Sequence, residues 1–258
     1  MRLSTKLLGA ACAIALGALI PASASADVAG TLSGSYANGS GGIAGASGSG
    51  DLWGIDGALA GTFNNNWGVE GDATYHDATG GGGNLWSFGG NLFWQGMDTR
   101  INANVTYHDL DGGLNFTNYG VGAEWFAGNS FTLAARGGAL SGDNTSGGYV
   151  GGHATWYFTP DLNLNGGVDY TDLGHSANFT SEDIGLEWLF SHSFPVSVYG
   201  GYQHVDFPSA IGGSHGAGNI WFVGIRLYAD GTRGDLVDRQ RGGTLGYTGQ
   251  SPFFLDKY

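Results

Sequence analysis

The chain has one cysteine, Cys12, and few basic residues, nine Lys and Arg against 22 Asp and Glu. Cys12 lies in an N-terminal apolar run, so the remaining chain can form neither a disulfide framework nor a Cys-ligated zinc site. Without Arg2 and Lys6, which precede that run, seven basic residues face 22 acidic ones, a net charge of −15. This charge argues against nucleic acid as a partner.

Long hydrophobic runs are also scarce. The main one, residues 7–20, follows Arg2 and Lys6 and precedes the small residues Ala24-Ser25-Ala26. This order is typical of a secretory signal peptide, so we predict that residues 1–26 are removed by cleavage after Ala26; an uncleaved anchor is the alternative. No later stretch approaches the roughly 20 apolar residues that a transmembrane helix needs.

Glycine is abundant, with 51 residues, yet 41% of the chain is hydrophobic and 13% aromatic. A disordered glycine-rich linker would lack those aromatics. Three segments, 67–76, 101–108 and 162–171, alternate apolar and polar residues with period two. Such alternation places one set on each face of a β-strand, whereas helical spacing would mix the sets.

The same pattern predicts about twelve strands: 28–38, 51–63, 67–76, 84–95, 100–109, 115–126, 131–140, 148–158, 162–172, 183–190, 195–206 and 219–228. Short connections (64–66, 96–99, 127–130, 159–161, 191–194) alternate with longer, Gly- and Ser-rich ones (39–50, 77–83, 110–114, 141–147, 173–182, 207–218). Outer-membrane barrels have short periplasmic turns and longer extracellular loops. The predicted fold is therefore an all-β, antiparallel transmembrane barrel over residues 27–228.

Aromatic residues concentrate near the strand ends, where a membrane barrel carries its interfacial girdles. The predicted girdle includes all eight tryptophans: Trp53, Trp67, Trp86, Trp94, Trp125, Trp156, Trp188 and Trp221. The alternative, a soluble β-protein, would concentrate aromatics in mid-strand, where this chain has mostly Ala, Gly, Val and Leu. The expected surroundings are outer-membrane lipids.

In these features, and in the last predicted strand, Asn219–Tyr228, the chain resembles the Gly-rich, porin-like outer-membrane barrels of Gram-negative bacteria. The resemblance covers roughly residues 1–228 and has no single diagnostic motif. It implies an outer-membrane location and handling by periplasmic chaperones and the barrel-assembly machinery. The chain departs from the pattern by adding residues 229–258, which we expect to form a separate, flexible periplasmic tail.

The polar strand faces predict a lumen lined by charged side chains of both signs. The candidates are Asp56, Glu70, Asp72, Arg100, Glu124, Arg136, His153, Asp169, Glu187 and Arg226. Small inward residues, among them Gly122 and Gly151, are expected to leave room for water. The predicted function is a passive channel for small hydrophilic solutes, and its excess of carboxylates favours cations mildly. The alternative is a structural or surface-display barrel whose lumen is plugged by side chains.

An enzyme embedded in the barrel is a third alternative. A serine hydrolase needs a serine beside a base that a third group orients, and no G-x-S-x-G motif occurs. The seven histidines are scattered, and we expect most of them to be solvated at strand ends or in loops. No spacing suggests a metal site, since the Asp-rich turn at 109–113 lacks the later ligands of a calcium loop. We therefore predict no catalytic residues, no metal and no cofactor.

Overall fold

The computed structural model describes residues 28–43, 46–63, 66–79, 83–111, 114–142, 145–174, 178–191, 195–209, 215–229 and 234–249. The predicted signal peptide and its cleavage site after Ala26 lie outside these residues. Within them, no helix has the length and apolar character needed to cross a membrane.

The period-two segments form twelve strands. They are β1 (Val28–Ile43), β2 (Ala46–Phe63), β3 (Trp67–Ala78), β4 (Gly83–Gln95), β5 (Thr99–Leu110), β6 (Leu114–Ala127), β7 (Phe131–Gly142), β8 (Thr145–Thr159), β9 (Leu162–Asp172), β10 (Asn178–Leu189), β11 (Val196–Ser209) and β12 (Gly216–Tyr228). One short helix, α1 (Leu236–Gly242), follows them.

Each strand pairs antiparallel with its sequence neighbour, and β1 pairs with β12 to close the ring. At this seam Leu32 lies opposite Leu227 and Tyr36 opposite Val223. Closure leaves no strand edge with unpaired backbone groups. The predicted twelve-strand antiparallel barrel is confirmed.

We call the end where β1 begins and β12 ends the terminal rim, and the opposite end the distal rim. The connections expected to be long lie at the distal rim, but the strands extend into them, leaving two to six residues, the same range as at the terminal rim. The largest difference falls in 39–50, where Gly39 pairs with Gly50 and Ser40 with Ser49. Strand pairing thus continues into segments that the sequence predicted as loops, because Gly and Ser pair through their backbones like any other residue.

The outward face is apolar. Val121, Val150, Ile184 and Ile225 are each more than half exposed, an arrangement that suits contact with lipid rather than water. Aromatic side chains lie outside near both rims. Phe131 and Trp156 stack at the terminal rim with ring centroids 5.8 Å apart, and Tyr75 and Trp86 pack 4.4 Å apart toward the distal rim.

The predicted girdle tryptophans divide between these two rims. Trp67, Trp94, Trp125, Trp156 and Trp188 lie near the terminal rim, and Trp53, Trp86 and Trp221 toward the distal rim. Seven of the strands contribute: β3, β4, β6, β8 and β10 at the terminal rim, and β2, β4 and β12, which lie on one side of the ring, toward the distal rim.

The interior near the distal rim is filled by one contiguous apolar cluster, which we call the distal layer. It consists of Leu85, Phe116, Leu140, Tyr149, Phe179 and Val205. Its members come from β4 on one side of the ring and β10 on the other, so apolar side chains meet across the lumen. A hydrophobic constriction of this kind excludes water.

Candidate functional site in the barrel lumen

The lumen between the distal layer and the terminal rim is occupied by the chain's own C-terminal part. Residues 234–249, here called the tail segment, turn back from the end of β12 and enter the barrel. Leu236 is fully buried against Leu189 and Tyr228, and Thr248 is fully buried deeper inside. The expectation of a separate, flexible tail is therefore wrong for these residues, because wall side chains bind them.

Helix α1 begins and ends on ordinary capping groups. The Asp235 side chain accepts a hydrogen bond from the Asp238 backbone at 2.9 Å, and Gly243 N–H closes the helix on the Arg239 carbonyl. At its C-terminal end, Arg100 of the wall donates to the carbonyls of Gln240 and Arg241 at 3.3 and 3.4 Å. A cation at this end also suits the helix dipole.

Arg241 fixes the helix to the terminal rim. Its guanidinium donates to the backbone carbonyls of Gly128 and Phe131, and to the Thr132 hydroxyl at 3.1 Å. The same group lies over the Phe126 ring, 5.2 Å from its centroid. The helix is thus held at both the rim and the wall.

Beyond α1, the segment is bound mainly through its backbone. Leu245 N–H donates to Glu70 Oε2 at 2.5 Å. Arg136 donates to the Tyr247 carbonyl at 3.0 Å, and Asn102 to that of Thr248 at 3.0 Å. These bonds reach a stretch of only four residues, which the wall therefore recognises as a peptide.

Six of the ten predicted lumen residues bind the tail segment directly by hydrogen bonds. These are Glu70, Arg100, Glu124, Arg136, Asp169 and Glu187. His153 stacks on the Tyr247 ring with centroids 4.8 Å apart. The remaining three contact the wall: Asp56 lies 3.2 Å from His76, Asp72 accepts from Asn91, and Arg226 pairs with Glu187 at 2.8 Å.

Four buried charges of the wall form two ion pairs. Arg100 and Glu124 lie 2.6 Å apart, and Arg136 and Asp169 lie 2.9 Å apart, with all four side chains almost wholly buried. A buried charge without a partner would cost several kcal/mol, so these pairs make a polar interior tolerable.

The inward glycines do not serve the purpose that we expected. A Cβ atom at Gly122 would lie 2.7 Å from the Cβ of Thr248, and one at Gly151 would lie 2.2 Å from the Tyr247 hydroxyl. An added Cβ would also lie 2.5 Å from Asn102 Oδ1 at Gly122 and 1.9 Å from Asp169 Oδ1 at Gly151, so both glycines leave room for wall side chains and for the tail segment, where the sequence suggested room for water.

Two histidines also differ from expectation, since His76 and His108 are buried in the interior. His108 Nδ1 lies 2.8 Å from Ser87 Oγ, and its Nε2 lies 2.6 Å from Asn118 Oδ1. The backbone register sets this row, because Ser87 and His108 are direct cross-strand partners. Ser87 is 2% exposed, so the row is a buried polar ladder.

A cavity of about 240 Å³ remains beside the tail segment. Six carboxylates line it: Asp56, Glu70, Asp72, Glu124, Asp183 and Glu187. Four arginines also line it: Arg100 and Arg226 of the wall and Arg239 and Arg241 of the tail segment. In the part of the chain that the structure describes, no three His, Cys, Asp or Glu side chains are placed to hold a metal ion.

The fold is that of outer-membrane porins and channels. An outer membrane channel from Pseudomonas putida F1 is 10% identical, with a TM-score of 0.56 over 78% of this chain and 95% of that one. The KdgM porin is also 10% identical (TM-score 0.51; 75% and 98% covered), and the CymD monoaromatic hydrocarbon channel is 9% identical (TM-score 0.53; 77% and 88% covered).

No protein-family model matches the sequence, and no curated protein matches it either. At such identities the likeness establishes the barrel fold alone. The chain is a closed twelve-strand barrel with the fold of outer-membrane porins and channels, and its function has to be argued from its own lumen.

Sequence reasoning missed the tail residues that complete the site, chiefly Gln240, Leu245, Tyr247 and Thr248. One local signal was available: Asp235 and Gly243 are a start and a stop for a short helix. Nothing local indicates that this part of the chain enters the barrel, because the wall residues that hydrogen-bond to residues 240–248 lie 53 to 213 residues earlier in the chain, on eight different strands.

Proposed function

We propose that this protein is an outer-membrane channel for small hydrophilic solutes, with a mild preference for cations. The observation that carries the proposal is a closed barrel with an apolar outer face and an interior of ionisable side chains around a cavity. Ionisable side chains suit an aqueous lumen, whereas each pair that stays buried carries a desolvation cost. The outer-membrane channels that share the fold support the same class of function.

The preference for cations follows from the wall. Six carboxylates and four arginines surround the cavity, but two of those arginines belong to the tail segment. Once that segment leaves the lumen, six carboxylates face two arginines, and negative walls attract cations. A solute path therefore requires two movements: the tail segment must withdraw, and the distal layer must part.

Planar-bilayer recording of the full chain tests the proposal. We compare the natural sequence with the double variant Phe179→Ala and Tyr247→Ala, which weakens both closures. The natural sequence should open rarely, and the double variant much more often. In a salt gradient, the reversal potential of the open channel should indicate that cations permeate more readily than anions. Adding Glu70→Gln and Asp72→Asn should reduce that preference. The absence of single-channel steps in both proteins would refute the channel, and a preference for anions would refute the selectivity.

The filled lumen favours a second candidate, a structural or surface-display barrel that stays closed. In that case the double variant would remain silent in the bilayer while keeping its barrel, as judged by heat-modifiable mobility on gels. The same recordings therefore separate the two candidates.

We propose no enzymatic role. The Ser87–His108–Asn118 row has the residue types of a hydrolytic triad, but a nucleophile has to be reached by its substrate, and Ser87, although it borders the cavity, is only 2% exposed. Export through a cleaved signal peptide, and handling by periplasmic chaperones and the assembly machinery, remain predictions from the sequence.

A further inference from the structure

We propose that the lumen contains a peptide-binding site, which the chain's own Leu245–Thr248 occupies as an internal ligand. The inference rests on the proposed channel, since the site lies inside its lumen, and it names the solute class as short peptides. The bound stretch contains a turn, in which Gly249 N–H donates to the Gly246 carbonyl at 3.0 Å. The expected ligand is thus a short peptide that forms a turn and carries an aromatic hydroxyl.

The wall matches the backbone of this turn group by group. A carboxylate, Glu70, accepts from the Leu245 amide. Donor side chains face the carbonyls. Arg136 donates to the Tyr247 carbonyl at 3.0 Å, and Asn102 and Asn104 both donate to the Thr248 carbonyl, at 3.0 and 3.3 Å. Acceptors opposite an N–H and donors opposite C=O groups define a site for amides, and every peptide offers both.

The wall also recognises the side chains. The Tyr247 ring lies between His153 and the Arg136 guanidinium, whose Cζ is 4.0 Å from the ring centroid. Its hydroxyl donates to Asp169 at 2.7 Å. Burial beside this carboxylate raises the pKa of the Tyr247 hydroxyl, so the group stays protonated and able to donate. Stacking together with a cation over the ring favours an aromatic residue at this position.

The shape of the wall fits the same four residues. As described above, side chains at Gly122 and Gly151 would overlap Thr248 and Tyr247. Leu245 packs into a separate apolar contact with Ala60 and Phe93. The Thr248 hydroxyl donates to Glu124 at 2.8 Å. The two glycines, the apolar contact and the carboxylate together form a cradle.

The site is suited to exchange its occupant. The ion pairs Arg136–Asp169 and Arg100–Glu124 are made between wall residues alone, so neither needs the segment as a partner. The adjoining cavity of about 240 Å³ gives an incoming peptide space to enter before the segment has left. A covalently attached ligand competes with a free one, so the natural chain should bind added peptide weakly.

The test uses the full chain and a fluorescent hexapeptide with the sequence of residues 244–249, Thr-Leu-Gly-Tyr-Thr-Gly. Tyr247→Ala weakens the attached ligand and leaves the wall intact. We expect this variant to bind the peptide, measured by fluorescence anisotropy, at least about tenfold more tightly than the natural chain does, because competition from the segment is reduced. A peptide with Ala in place of Tyr should bind about tenfold more weakly, through the loss of stacking and one hydrogen bond.

Two glycine variants in the Tyr247→Ala background serve as a matched pair. Gly122→Ala fills the cradle and should abolish peptide binding, whereas Gly71→Ala, where an added Cβ meets nothing within 4 Å, should leave it unchanged. Heat-modifiable mobility establishes that each variant keeps its barrel. No binding to Tyr247→Ala, or equal binding to the Gly122→Ala variant, would overturn the peptide site.

This outcome is distinguishable from failure of the channel. Binding is read without any current, and conductance is read without any peptide. A barrel that binds the peptide and does not conduct would refute the proposed function alone, and a barrel that conducts and ignores the peptide would refute the inference alone.

Discussion

The two ends of the lumen are closed in different ways. Near the distal rim, the distal layer is made of wall side chains, which meet one another across the ring. Near the terminal rim, closure depends on a segment that reaches the wall only after the chain has left the barrel at Tyr228. The first closure is apolar and belongs to the barrel core, whereas the second is polar and can separate from the wall. The distal layer should therefore open only when the barrel wall changes its packing, whereas the tail segment should be able to undock without any change in the barrel.

The largest effect should come from Arg136→Ala, which breaks the polar end. It leaves Asp169 buried without its cation and removes a bond to Tyr247, so we expect the free energy of unfolding to fall by about 3–5 kcal/mol. Urea unfolding in lipid vesicles measures this change. The double variant Arg136→Ala and Asp169→Ala should recover part of the lost stability. An unchanged unfolding curve for the single variant would show that the ion pair does not contribute to the free energy of unfolding.

A smaller loss should follow from Phe179→Ala in the distal layer. The side chain is 1% exposed, so its truncation leaves a cavity and should cost about 3 kcal/mol in the same unfolding experiment. Because this closure is separate from the polar one, the tail segment should stay docked, as measured by chymotrypsin cleavage at Tyr247. Phe179→Leu is the milder control. Faster cleavage at Tyr247 in the Ala variant would mean that the two ends are coupled.

The smallest effect on the barrel should come from Arg241→Ala. Loss of its bonds to the rim carbonyls should weaken docking of the tail segment by about 1–2 kcal/mol and leave barrel unfolding unchanged. Cleavage at Tyr247 should become about tenfold faster, since local opening limits the protease.

A variant that holds the tail segment in place is the control for Arg241→Ala, which weakens its docking. Thr31 and Thr244 have hydroxyl oxygens 3.4 Å apart, so cysteines at both positions should form a disulfide that locks the tail segment. The oxidised protein should resist cleavage at Tyr247, and the reduced protein should regain sensitivity. Equal cleavage of the natural, Arg241→Ala and locked proteins would rule out a segment that opens on its own.

Much of the barrel could be predicted from the sequence because successive side chains of a strand point to opposite faces, so alternate residues differ in polarity. Segments such as 67–76 and 100–109 were placed to within two residues at the terminal rim. At the distal rim, Gly39–Gly42 carries no apolar set, so nothing local marked the continuation of β1. The inward side of residues such as Glu70 and Arg100 also followed from alternation, because the period is a property of the backbone itself.

The occupant of the lumen could not be predicted in this way. Residues 244–249 have no period and no motif, and their structure is decided by contacts with side chains from each of β1 to β9. The lumen charges looked like the lining of an open pore because the sequence shows which side chains face inward and not what they face. Arg136 illustrates the point, since it serves at once as an ion-pair partner, a donor to Tyr247 and a platform for its ring.

The tail segment takes partners from strands at both ends of the chain's path around the ring, from Thr31 on β1 to Glu187 on β10. Those partners face one another only after β1 has joined β12. Complete docking therefore requires a closed ring, and an incomplete or misregistered ring would present a site with some of its members missing. We expect resistance of Tyr247 to protease to report that the ring is complete.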